Sequence, residues 1–196
     1  MTTFAAAVFF LLITPGPGVL STAGVASGFG RAAALRYVAG LFLGTNLVAL
    51  AVVSGLAAAV FSVPYLREVL FAASAVYLLY LALKIALSGT RVAFIHPERP
   101  PGVGGGLTLQ MINPKAYAVN TAFFSGFPFF PDSFWIETLV KFAIVNAIWI
   151  PVHLLWLSAG ILIRRLNLPE RVHKAINIAM AVSMLLVVAL AVLAQF

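Results

Sequence analysis

The sequence predicts an all-α membrane protein. Its six transmembrane helices form two inverted three-helix repeats, with helices one and four broken near the midplane. Three observations lead there. The chain of 196 residues is 63% hydrophobic and only 9% charged, its apolar residues fall into six runs, and its two halves share short motifs about one hundred residues apart. A soluble domain is nearer one half apolar and about a quarter charged. A disordered chain is poor in hydrophobes and rich in charge. A mean hydropathy of +1.09 fits neither. At about 20 apolar residues per helical span, the length accommodates six spans and short loops, with no stretch left for a soluble domain.

The runs cover roughly 3–24, 36–61, 67–88, 107–128, 134–162 and 171–195. They are too long for barrel strands and lack the apolar/polar alternation that such strands need. The first has a small-residue string, Ala23-Gly24-Val25-Ala26, but no Lys or Arg before it, so it reads as a retained span rather than a cleaved signal. Residues 1–88 form the first repeat, 89–106 a cytoplasmic linker rich in Pro and Gly, and 107–196 the second repeat, all within one integral membrane domain. Gly24 with Gly28, and Gly40 with Gly44, have the four-residue spacing of close helix packing. Those faces also raise the expectation of a homodimer.

Charge sets orientation. Arg31, Arg36, Lys84, Arg91, Arg99, Arg164, Arg165, Arg171 and Lys174 fall in the loops after spans one, three and five. Only Arg67 and Lys141 lie on the opposite side, together with Glu68, Asp132 and Glu137. This is a positive-inside bias that puts both termini on the periplasmic side of a bacterial inner membrane. The net charge of +7 therefore reports topology and not nucleic-acid binding. With no cysteine, disulfides and thiolate metal sites are excluded. No carboxylate sits mid-span, so no metal site or acidic proton relay is expected. No Gly-x-Ser-x-Gly run suggests a hydrolase. Neither an enzyme nor a cofactor is expected.

The repeat aligns Ile13-Thr14-Pro15 with Ile112-Asn113-Pro114, Ser27-Gly28-Phe29 with Ser125-Gly126-Phe127, and Phe42 and Asn46 with Phe142 and Asn146. Three spans per half is an odd number, so the second half must cross upside down, as in many secondary transporters. At 1.5 Å per residue, Pro15 lies about 16 Å deep, and Asn46 and Asn146 about 15–18 Å deep from opposite sides.

Pro15 and Pro17 lack N–H groups and clash with preceding carbonyls, so the helix breaks at Thr14-Pro15-Gly16-Pro17. Such a break in hydrocarbon must line a cavity or be covered by protein. Asn113-Pro114 is a milder break and also reads as a simple kink. Each break exposes a helix N-terminus, a ready anion site. Lys115 either adds a full charge there or reaches toward the cytoplasmic headgroups. Asn46 and Asn146 are candidates to accept from an ammonium group or to bond helix to helix. His153 is a candidate proton carrier or a packing histidine, and Lys115 is a second candidate for proton coupling. Tyr77, Tyr80 and Trp149 are candidate cavity walls, and Trp135 an interface anchor. A carboxylate at the N-termini and an ammonium opposite describe a small amino-acid substrate.

Pro15-Gly16-Pro17, the glycines Gly30, Gly40 and Gly44, the pairs Tyr77-Leu78 and Tyr80-Leu81, and Asn113-Pro114-Lys115-Ala116 resemble the LysE/RhtB family of amino-acid exporters in content and order. Alanine stands where the family carries a glycine soon after Gly30-Arg31, and again at Ala82. The resemblance implies a six-span inner-membrane exporter of small amino acids, with protons as the coupling ion. Members handle lysine, arginine, threonine, homoserine or leucine. The absence of an obvious cavity carboxylate favours neutral substrates. Export of another small solute, such as a metal ion, and a non-transporting membrane scaffold are the alternatives.

Overall fold

The computed structural model describes residues 1–14, 16–55, 57, 62–86, 100–130, 132–166, 169, 171, 172, 174–176, 178, 179, 182 and 186. Pro15, most of the linker and most of the sixth expected span lie outside them. Among the described residues there is no strand. The helices are α1 (Thr2–Ile13), α2 (Pro17–Phe29), α3 (Arg31–Val53), α4 (Leu66–Ala86), α5 (Val103–Ile112), α6 (Pro114–Ser125) and α7 (Phe134–Arg165). A short helix, a break, a second short helix and then a long helix thus occur twice along the chain. α3 and α7 are each long and apolar enough to cross a membrane, and α1 and α2 pass the same test of length and apolarity only as a pair, bent by 50° at their break.

Local chemistry accounts for the boundaries. Pro17 and Pro114 each open a helix, where their missing N–H costs nothing. Gly30 ends α2 with φ +85°, a left-handed conformation that lets α3 begin without an intervening loop. α7 starts on Ser133, whose Oγ accepts from the Ile136 N–H at 3.4 Å, with Glu137 in its first turn and Arg164 and Arg165 in its last.

Contacts along α7 reveal the directions of its neighbours. Going up α7, His153 meets Gly18, Gly160 meets Ala23 and Ala26, and Arg164 meets Ser27 and Gly28, so α2 runs parallel to it. α6 runs the other way: its cavity-lining Ala116 and Asn120 precede Phe124, which packs beside Phe142 (ring centroids 4.7 Å apart). The N-termini of α2 and α6 therefore approach each other beside the middle of α7.

Glycines set the closest approaches. A Cβ on Gly40 would strike the Val103 carbonyl oxygen, one on Gly44 would lie 2.5 Å from the Gln110 Cβ, and one on Gly106 would strike the Tyr37 carbonyl oxygen. The α3 glycine face is thus occupied within the chain, by α5. This corrects the expected linker boundary: Gly104, Gly105 and Gly106 are helical, and of the three it is Gly106 whose missing Cβ lets α5 press on the α3 backbone. Lys141, expected on the outward side, is buried within the fold, at 2% exposure.

Two apolar clusters flank a polar seam. One gathers Leu20, Val25, Tyr37, Leu41, Leu109 and Trp149, and the other Phe4, Val8, Phe123 and Val145, with Leu12 packed on both.

Candidate functional site

Between those clusters lies a cavity of about 60 Å³. By the same measure a single water needs roughly 10–15 Å³, so there is room for a few waters or a small polar group. Thr14, Gly16, Pro17, Asn113, Lys115, Trp149 and His153 all line it. These expected residues come from four elements and converge on one place, while Pro114 supplies the first residue of α6.

The two breaks touch directly. The Lys115 Nζ donates to the Thr14 carbonyl at 3.1 Å, across 101 residues of sequence. A Cβ on Gly16 would lie 2.9 Å from that same nitrogen, so glycine is the residue that admits the ammonium here. α2 begins at Gly16 with no side-chain cap. The N–H groups of its first turn have no partner within the helix and lie at the cavity edge. α6, by contrast, caps itself: the Asn113 Oδ1 accepts from the Lys115 N–H at 3.1 Å. The Asn113 Nδ2 donates to the Gln110 Oε1 at 3.1 Å. Asn113 is therefore committed to shaping the break.

The electrostatics favour an anion. The ammonium of Lys115 sits where two helices start, beside the partial positive charge of each N-terminus. The Thr14 carbonyl is the acceptor it holds. No carboxylate is among the described residues that line the cavity.

His153 closes the far wall. It is 4% exposed, its ring stacks on Trp149 with centroids 3.5 Å apart, and its Nδ1 lies 2.9 Å from the Trp149 carbonyl oxygen. A carbonyl can only accept, so Nδ1 carries the hydrogen and Nε2, which faces Gly18, bears the lone pair.

Four expected residues lie elsewhere. Asn46 and Asn146 exchange two hydrogen bonds with each other, at 3.1 and 2.9 Å, and neither lines the cavity. The positions that the repeat aligns thus meet face to face and join α3 to α7, with their amides turned on one another instead of on an ammonium group. The Tyr77 hydroxyl donates to the Gly105 carbonyl at 2.8 Å and ties α4 to α5, which removes it from the cavity wall. Tyr80 packs beside Tyr77, with ring centroids 6.0 Å apart and planes tilted by 35°.

Three polar residues of the cavity, Thr45, Gln110 and Asn120, were not expected. Asn120 is buried and donates to the Ala116 carbonyl at 2.8 Å. The available signal was a buried-type amide about one and a half turns beyond Lys115 in an otherwise apolar run.

Basic side chains cap three of the short helices at their C-terminal ends. Lys115 holds the end of α1. Arg164 donates to the Gly28 carbonyl at 2.9 Å at the end of α2. Lys141 donates to the Gly126 carbonyl at 2.7 Å at the end of α6 and pairs with Glu137 at 2.9 Å. Each cation meets the negative end of a helix dipole.

Among curated proteins and solved structures, none matches the chain. The family model described as LysE type translocator matches residues 9–195. The chain therefore belongs to the LysE type translocator family, and its apolar spanning helices make it a multi-pass membrane transporter.

Proposed function

We propose that the protein exports small amino acids, neutral ones above all, from the cytoplasm across the bacterial inner membrane. Protons serve as the counter-ion, and the two inverted halves rock about the central cavity in alternating access. The observation that carries this reading is the Lys115 ammonium, 3.1 Å from the Thr14 carbonyl, between the starts of α2 and α6.

A substrate carboxylate would displace that weak carbonyl contact, taking a charge-assisted bond from Lys115 and further bonds from the free N–H groups of α2. The substrate amine would be received by the Thr14 carbonyl and the amide oxygens of Gln110 and Asn120. Leu12, Val119, Phe123 and Val145 form the opposite wall and suit an apolar side chain. A dibasic substrate would bring a second cation to a wall without a carboxylate, at a heavy desolvation cost. His153 is the proposed proton carrier, loading at Nε2 when the carboxylate has left.

Proteoliposomes carrying the purified protein and loaded with labelled neutral amino acids test the reading. Counterflow for at least one of them, accelerated by an opposing pH gradient, is the expected result. Silence across a broad panel, from protein that is folded and inserted, would sink it.

A further inference from the structure

The seam between α3 and α7 holds a second feature that the transport reading does not use. A cavity of about 440 Å³ is lined by Arg31 and Arg165 together with Ser158 and leucine and isoleucine side chains. Next to it, sharing Leu35 and Leu154, lies a cavity of about 230 Å³ lined by apolar residues down to Phe42 and Trp149. The two make one groove, charged at one end and greasy along its length. Both helices supply it as a stripe: Arg31, Leu35, Val38 and Phe42 share one face of α3, and Ile150, Leu154, Leu157 and Arg165 share one face of α7.

We propose that this groove binds an anionic phospholipid, its phosphate held by Arg31 and Arg165 and one acyl chain laid along the seam toward Trp149. Arg31 is the first residue of α3 and Arg165 the last of α7, so both guanidinium groups stand at helix ends, at headgroup level. From Arg31 to Phe42 the stripe rises about 16 Å. That matches one leaflet, half of a ~30 Å hydrocarbon core. No carboxylate is among the described residues lining either cavity, and two planar guanidinium groups suit a phosphate held by several bonds. A second copy of the chain on this face would bring the same arginines against each other, which argues for lipid as the occupant.

The groove also reaches the transport site. Trp149 forms the deep end of the groove on one side and lines the central cavity on the other, stacked on His153. A bound chain steadies that indole from behind, so flux rises with anionic lipid content. That last consequence depends on the transport reading, whereas lipid binding does not.

Binding is tested in phosphatidylcholine nanodiscs doped with a few per cent of phosphatidylglycerol brominated on its acyl chains. The native protein should show tryptophan quenching beyond that given by the same fraction of brominated phosphatidylcholine, and the excess should vanish in Trp149→Phe. In the double variant Arg31→Gln/Arg165→Gln, affinity for phosphatidylglycerol should fall roughly tenfold or more, the expected effect of two basic side chains near an anionic headgroup. Leu154→Trp keeps both charges but fills the groove where its two parts join, and should also abolish the excess. Equal quenching by both lipids overturns the proposal, as does a preference unmoved in both the arginine and the Leu154 variants. A dimer mass without bound lipid would assign the seam to a second copy and equally overturn it. If lipid binds but no amino acid moves, the proposal stands and the transport reading falls.

Discussion

Lys115 is charged, sits beside two helix starts and touches a backbone carbonyl of the opposite break. Replacing it with alanine removes the charge that a carboxylate would seek. Lys115→Ala is expected to lower export at least ~10-fold, the weight of a charge-assisted bond, while insertion stays normal. Lys115→Arg keeps the charge in a planar fork that the space beside Gly16 does not fit, so partial flux is expected. Initial rates in proteoliposomes distinguish the three proteins. His153 gives a different signature. With His153→Gln the pH-gradient acceleration should disappear while counterflow of substrate persists; equal loss of both would make the residue structural. At this scale the breaks were legible, because proline and glycine declare themselves in sequence. The Asn46–Asn146 pairing was not. Their spacing was visible, but whether an amide faces a ligand or its own counterpart depends on helix rotation, which an apolar run with weak periodicity leaves open.

Elements are held together by small residues and amide pairs more than by apolar area, since lipid supplies no hydrophobic drive between helices. Asn146→Ala strips Asn46 of two bonds and should destabilise the α3–α7 pair by about 1 kcal/mol. The double alanine variant should cost less than the sum of the singles, as measured by unfolding in mixed micelles. Gly40→Leu should prevent α5 from docking, because the new side chain meets the Val103 carbonyl. Gly104→Ala, with open space around it, should be neutral or stabilise by up to ~1 kcal/mol through helix propensity. Helix starts were readable from Pro17 and Pro114. The start of α5 was not, since three consecutive glycines argue for a loop until the close approach to Tyr37 and Leu41 is known.

For the whole molecule, the charge asymmetry predicts that both ends of the chain face the periplasm. The absence of cysteine makes this simple to check, because any introduced thiol is the only one. A single cysteine at Thr2 or Asp132 should react in intact cells with a membrane-impermeant maleimide, and one at Gly102 only after the membrane is opened. The reverse pattern would turn the transporter over. The recurrence of the helix order was foreshadowed by the motif matches, but the opposite headings of α2 and α6 rest on contacts with α7 that no string of residues displays.

Arg164 and Lys141 stand near opposite ends of α7, each neutralising the tail of one half-helix. Their heads face the midpoint, that of α2 without a side-chain cap and that of α6 capped by Asn113. A cargo stripped of its acid group, such as a simple alkyl amine, would enter between two like-signed poles and a third from Lys115, and would be expelled rather than held. Decarboxylation of the proposed amino-acid cargo would thus make it invisible to this carrier.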